Sequence, residues 1–73
     1  MIFPDTIIMK ILVGEILYKR KISYKQLSIM TGIPKSTIGD ICNGLTMPRI
    51  DTLEVIAKAL NLHISDLFES EYK

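Results

Sequence analysis

Apolar residues along the chain recur at spacings of three and four, with charged side chains between them. No stretch sustains two-residue alternation, so the pattern predicts helices and no strands. Pro4, Gly32-Ile33-Pro34, Asn43-Gly44, Pro48 and Asn61 punctuate it into five helix-sized pieces. The first is expected over residues 6–20, where Ile8, Ile11, Leu12 and Ile16 form one stripe and Lys10, Glu15 and Lys19 lie elsewhere on the wheel. Asp5 is placed to cap its start, and Lys19, Arg20 and Lys21 suit the negative end of its dipole.

The second piece, over residues 24–31, is preceded by Ser23, which stands three residues before Gln26 in the pattern of a capping box. Gly32 supplies its left-handed stop. The third begins at Pro34 or Lys35 and ends at Asn43-Gly44, where a second glycine stops it. Ile38 and Ile41 are expected to point inward, and Lys35, Ser36, Gly39, Asp40 and Asn43 outward. The fourth covers residues 50–60, with Leu53, Ile56, Ala57 and Leu60 as its buried stripe and Asp51 and Glu54 spaced as a capping box. A short last helix over residues 65–69 buries Leu67 and Phe68.

The second and third pieces carry the functional expectation. A turn of a few residues forces two short helices to cross steeply. Ser28 is small enough for a close approach, and Leu27, Ile33, Ile38 and Ile41 fill the corner. The outer face of the third helix is then left to polar side chains, and an α-helix fits the DNA major groove, where base edges are distinguishable.

Composition narrows the field. A chain of 73 residues, 48% apolar, makes one compact domain over residues 1–73 and argues against intrinsic disorder. The single Cys42 excludes an internal disulfide, so the expected home is intracellular and cytoplasmic. Charges interrupt every apolar run, which leaves neither a membrane span nor a signal peptide. The net charge of +1 hides an asymmetry: residues 1–50 carry +4 and residues 51–73 carry −3. A local electropositive face is thus compatible with a near-neutral whole.

From Ser23 to Asn61 the chain resembles the phage-repressor and Cro type of helix-turn-helix, the xenobiotic-response-element family of regulators. The likeness is carried by Ile22-Ser23-Tyr24-Lys25-Gln26-Leu27-Ser28, then Thr31-Gly32-Ile33-Pro34-Lys35-Ser36-Thr37-Ile38, then Asn43-Gly44 with Pro48 following. Leu53-Glu54-Val55-Ile56-Ala57-Lys58-Ala59-Leu60 resembles the family's fourth helix, and with the preceding amphipathic helix and Ile64–Phe68 at the end the likeness covers nearly the whole chain. The resemblance implies an all-α, five-helix, lambda-repressor-like domain, with its helix-turn-helix at about residues 23–43. It also implies binding to double-stranded operator DNA as a homodimer, in a prokaryotic or phage transcriptional regulator, commonly a repressor.

By the same resemblance Lys35, Ser36 and Asp40 occupy base-reading positions, and Tyr24, Thr37, Asn43 and Arg49 phosphate-contacting ones. Lysine can reach guanine O6 and N7, serine can donate or accept at several bases, and a carboxylate can accept from cytosine N4. Where the family often pairs a buried arginine with a glutamate, this chain has Leu17 and Cys42, expected as a packed apolar contact. Gly39 departs from the family as well, at a cost of about 1 kcal/mol relative to alanine in mid-helix.

Other chemistries find little support. His63 is the only histidine, expected in a solvated turn, and neither it nor Cys42 has partners at metal-ligand spacing. No catalytic triad or phosphate-binding glycine motif occurs, so neither enzyme activity nor a cofactor is expected. Met9, Met30 and Met47 are expected at the core or its rim, and Lys19-Arg20-Lys21 as a solvated helix end. The alternative function is a protein-binding module, such as an antitoxin or regulatory scaffold, with Asp66, Glu69 and Glu71 as the partner surface.

Overall fold

A computed structural model describes residues 9–71 of the chain. The expected cap Asp5, the apolar Met1, Ile2 and Phe3, and the terminal Tyr72 and Lys73 lie outside the described residues, as does the first part of the helix expected over 6–20. Among the described residues are four α-helices: α1 (Val13–Arg20), α2 (Tyr24–Thr31), α3 (Lys35–Cys42) and α4 (Ile50–Leu60). A 3-10 turn, Ile64–Leu67, stands where the fifth helix was expected. Two short strands, β1 (Lys10–Ile11) and β2 (Phe68–Glu69), pair antiparallel, with Lys10 opposite Glu69 and Ile11 opposite Phe68.

The strand pair corrects both ends of the all-helical expectation. The Leu12 N–H donates to the Leu67 carbonyl at 2.8 Å, so the backbone before α1 bonds across the fold instead of within a local helix. The β-branched Ile11 suits an extended backbone. Helix α1 therefore starts late, and its buried stripe is Val13 and Leu17 rather than Ile11 and Leu12. At the other end only four residues turn before Phe68 becomes extended, too few to nucleate a stable α-helix. Leu67 is fully buried there, whereas Phe68 is only half-buried.

One core joins all the helices. Val13, Leu17, Leu27, Ile38, Leu53, Ile56, Ala57, Leu60 and Leu67 form a continuous buried cluster. The expected stripe of α4 is buried in full. Arg20, expected as part of a solvated basic run, instead donates from Nη1 to the Leu60 carbonyl at 2.6 Å. It thereby caps the C-terminus of α4, where the helix dipole favours a cation.

The expected capping box of α4 does not form. Its N-cap is Arg49, in extended conformation, and no side chain caps it. Asp51 lies inside the helix, where a capping geometry is unavailable. It makes an exposed ion pair with Arg49 Nε at 3.4 Å. Met9 is half-buried as a rim residue, but Met30 and Met47 are exposed.

Candidate nucleic-acid interface

Helix α2 begins where the sequence places it. Ser23 Oγ accepts from the Gln26 N–H at 3.0 Å, and Gln26 Oε1 accepts from the Ser23 N–H at 2.7 Å, completing the capping box. The helix ends at Gly32, whose φ of 80° is the left-handed conformation that glycine adopts without strain. Three further bonds fix the turn. Ser28 Oγ donates to the Ile33 carbonyl at 2.6 Å. Thr31 Oγ1 donates to the Leu27 carbonyl at 2.7 Å and accepts from the Ile33 N–H at 3.1 Å. Ser28 is therefore a hydrogen-bonding residue as well as a small one. Its place five residues before Ile33, across a tight turn, is the signal in the sequence.

Helix α3 leaves this turn with Pro34 as its N-cap. Leu27 and Ile38 lie in the core, Ile33 packs partly against it, and Ile41 is buried. On the opposite side Lys35, Ser36, Asp40 and Asn43 are exposed, as expected, while Thr37 is half-buried. Ser36, Asp40 and Asn43 are spaced to share one face of a helix. Among the described residues neither Lys35 nor Asp40 forms an intramolecular ion pair. Arg49 lies beyond the following loop, exposed and held only by its pair with Asp51. An exposed pair of this kind is worth about 0–1 kcal/mol, so it yields readily to another anion.

Tyr24 and Gly39 depart from the simple picture of an open helix face. Gly39 is half-buried, not exposed. A Cβ placed on it would lie 3.5 Å from Cε2 and 3.7 Å from Cδ2 of Tyr24, so the tyrosine ring covers the helix at this point. The Tyr24 and Cys42 side chains also act on each other electrostatically. Negative charge on Cys42 pushes the Tyr24 pKa above its ordinary value, and burial acts in the same direction. Burial pushes the Cys42 thiol up, partly opposed by the neighbouring Tyr24. A raised thiol pKa favours the inert protonated form.

Cys42 also seats α3 on α1. It packs against the core that contains Leu17, consistent with apolar replacement of an ion pair. A Cβ placed on Gly14 would lie only 3.3 Å from Cys42 Cβ, so the two helices approach closely there because residue 14 has no side chain. Neither Gly14 nor the Tyr24–Gly39 contact was legible in the sequence. A glycine inside a helical pattern is the only trace of each.

Among the described residues no group of three or more His, Cys, Asp and Glu side chains is arranged to hold a metal. No helix among them is long and apolar enough to cross a membrane.

The architecture is thus a small helical domain with a rigid helix-turn-helix and an exposed polar face on its second helix. The family model of the Cro/C1-type HTH DNA-binding domain matches residues 13–72. The chain belongs to that family, and DNA is the partner its fold serves. The match begins at the first residue of α1 and includes the whole helical core. No curated protein and no solved structure matches the chain.

Proposed function

We propose that the protein is a sequence-specific transcriptional regulator, acting as a repressor, which inserts α3 into the major groove of operator DNA as a homodimer. The observation that carries this reading is the exposed set Lys35, Ser36, Asp40 and Asn43, mounted on a turn that side-chain hydrogen bonds hold rigid. Lys35, Ser36 and Asp40 are the base-reading residues. Lys35 supplies a cation for guanine or phosphate, Ser36 an adaptable hydroxyl, and Asp40 an acceptor for cytosine. Asp40 also disfavours placements that bring phosphate beside it, which sharpens selection at the expense of affinity.

Thr37, Asn43 and Arg49 are the phosphate-contacting residues that fix the docking register without reading sequence. Tyr24, at the first position of α2, is a further phosphate-contacting residue.

The small basic complement of α3 makes a second copy necessary for useful affinity. Leu45, Met47 and Ile50 project from the loop after α3 and the start of α4, with 75%, 59% and 67% of their surface exposed. The opposite charges of Arg49 and Asp51 flank Ile50, so a two-fold axis through this region allows reciprocal pairing between copies. The same exposed apolar residues support the alternative reading, a protein-binding module of the antitoxin or scaffold kind. Asp66 contributes less to that alternative than its charge suggests, because its Oδ2 accepts the His63 N–H at 3.0 Å. The expected setting is the cytoplasm of a prokaryotic or phage-infected cell.

Selection of bound duplexes from a random pool at low salt tests the proposal. Enrichment of two half-sites about one helical turn apart is expected, together with a dimeric mass in solution. Folded dimeric protein that enriches no sequence would exclude sequence-specific regulation and leave the protein-binding reading.

A further inference from the structure

We propose that Tyr18 and Lys19, at the end of α1, are a further anchor for the sugar–phosphate backbone of DNA, in a groove that runs from the reading helix onto α1. The inference rests on the DNA-binding reading above and enlarges its contact surface. Residues 14 and 18, and 15 and 19, stand one turn apart, so they form a strip along α1 beside the buried Val13 and Leu17. Gly14, Tyr18 and Lys19 line a groove of about 610 Å³ together with Tyr24 of α2 and Cys42 of α3. The helices α1 and α3 meet within it, where a Cβ on Gly14 would lie 3.3 Å from Cys42 Cβ. Tyr24 links this groove to the reading face, because its ring also lies against Gly39 of α3. A second groove shares Lys10, Ile11 and Cys42 with the first and continues to Asn43 and Thr46. The two adjoin as one trough, with Asn43 at one end, Tyr24 midway and Tyr18 and Lys19 at the other.

The chemistry of the α1 end suits a phosphodiester strand. Lys10 is paired with Glu15 at 3.2 Å, and Arg20 is engaged by the Leu60 carbonyl. Among the described residues Lys19 forms no ion pair. Two lysines against one carboxylate leave the groove with one net positive charge. Tyr18 stands 86% exposed, so its hydroxyl meets solvent. A phosphate oxygen accepts hydrogen bonds and attracts a cation, and these two neighbouring residues supply a donor and a charge. A bound small molecule would have roughly 70–90% of its surface covered, which a groove with so exposed a wall does not provide. A backbone strand passing over the trough needs contact on one side only.

Three variants of the full chain test the anchor: Tyr18→Phe, Lys19→Ala and, as a control of equal charge change, Lys58→Ala on the exposed side of α4. Affinity is measured on a duplex selected from the random pool and on an unselected duplex of equal length, across a salt series. Lys19→Ala is expected to weaken both duplexes by the same factor. That factor should shrink about three-fold between about 50 and 200 mM salt, because one lost phosphate contact lowers the slope by about 0.9. Tyr18→Phe is expected to lose roughly two- to ten-fold on both duplexes at every salt concentration, the fold-change of one net hydrogen bond. Lys58→Ala is expected to leave affinity and slope unchanged.

Selected-sequence binding that neither Tyr18→Phe nor Lys19→Ala weakens would overturn the anchor and leave the reading function standing. An equal loss in Lys19→Ala and Lys58→Ala would also overturn it, since the effect would then be one of overall charge. If no sequence is enriched, the unselected duplex alone decides: the expected loss and slope change there would preserve the anchor and reject base reading. No binding to any duplex at low salt would reject both.

Discussion

The connections on either side of α3 are built differently. The link from α2 passes through Gly32, Ile33 and Pro34 and is held by the side chains of Ser28 and Thr31. The link to α4, residues 43–49, is longer and is held at its start by backbone bonds from Gly44 to Ile41 and from Leu45 to Asp40. Its Leu45 and Met47 side chains face solvent. The first connection sets the angle of the reading helix and needs nothing outside the chain. The second leaves apolar surface to be covered, and we assign its cover to the partner copy.

The largest expected effect lies in the corner behind the first connection. Ile38 is 1% exposed and belongs to the common core. Ile38→Ala should cost about 2–5 kcal/mol in chemical denaturation, from lost burial and the cavity left behind. A loss below about 1 kcal/mol would mean that the corner is not packed as described.

Ser28→Ala comes next. It leaves the part-buried Ile33 carbonyl without the serine donor and should cost about 1–3 kcal/mol, measured the same way. A neutral result would show that water satisfies this carbonyl and that the turn is held without Ser28.

The pH dependence of stability probes the far end of α3. Cys42 and Tyr24 are both shifted upward in the folded state, from ordinary values of 9.0 and 10.0. The folded protein therefore holds these protons more tightly than the unfolded chain does. Their contribution is full below about pH 9 and declines as pH rises through the folded pKa values. Stability should fall on the alkaline side, and Cys42→Ala should flatten that fall. An equally steep fall in the variant would place its cause elsewhere.

The smallest effect is expected in the second connection. Met47→Ser should change monomer stability by no more than about 0.5 kcal/mol, since the side chain is already in water. It should nevertheless weaken self-association in sedimentation or light-scattering measurements. An unchanged dimer would remove Met47 from the proposed interface.

The contrast between these connections also explains what was legible in the sequence. Local chemistry was readable. Ser23 and Gln26 cap α2, Gly32 adopts the left-handed turn, and Ile38 and Ile41 face inward, because each follows from neighbours a few residues away. Long-range pairing was not. β1 and β2 form between segments far apart in sequence, so neither segment carries the alternating pattern of a long strand. Arg20 reads locally as a dipole-complementing charge, and its bond to Leu60 depends on how two helices cross. Tyr24 occupies a position that family resemblance assigns to phosphate. Only the packed structure brings its ring to Gly39.

The exposed face of α3 is the central element of this account, and Lys35 tests it most directly. The affinities of wild type and Lys35→Ala are to be compared on the selected sequence and on a scrambled duplex of equal length and salt. If Lys35 reads a base, the variant loses about 1–3 kcal/mol on the selected sequence and little on the scrambled one. An equal loss on both duplexes would contradict base reading and reduce Lys35 to a phosphate contact.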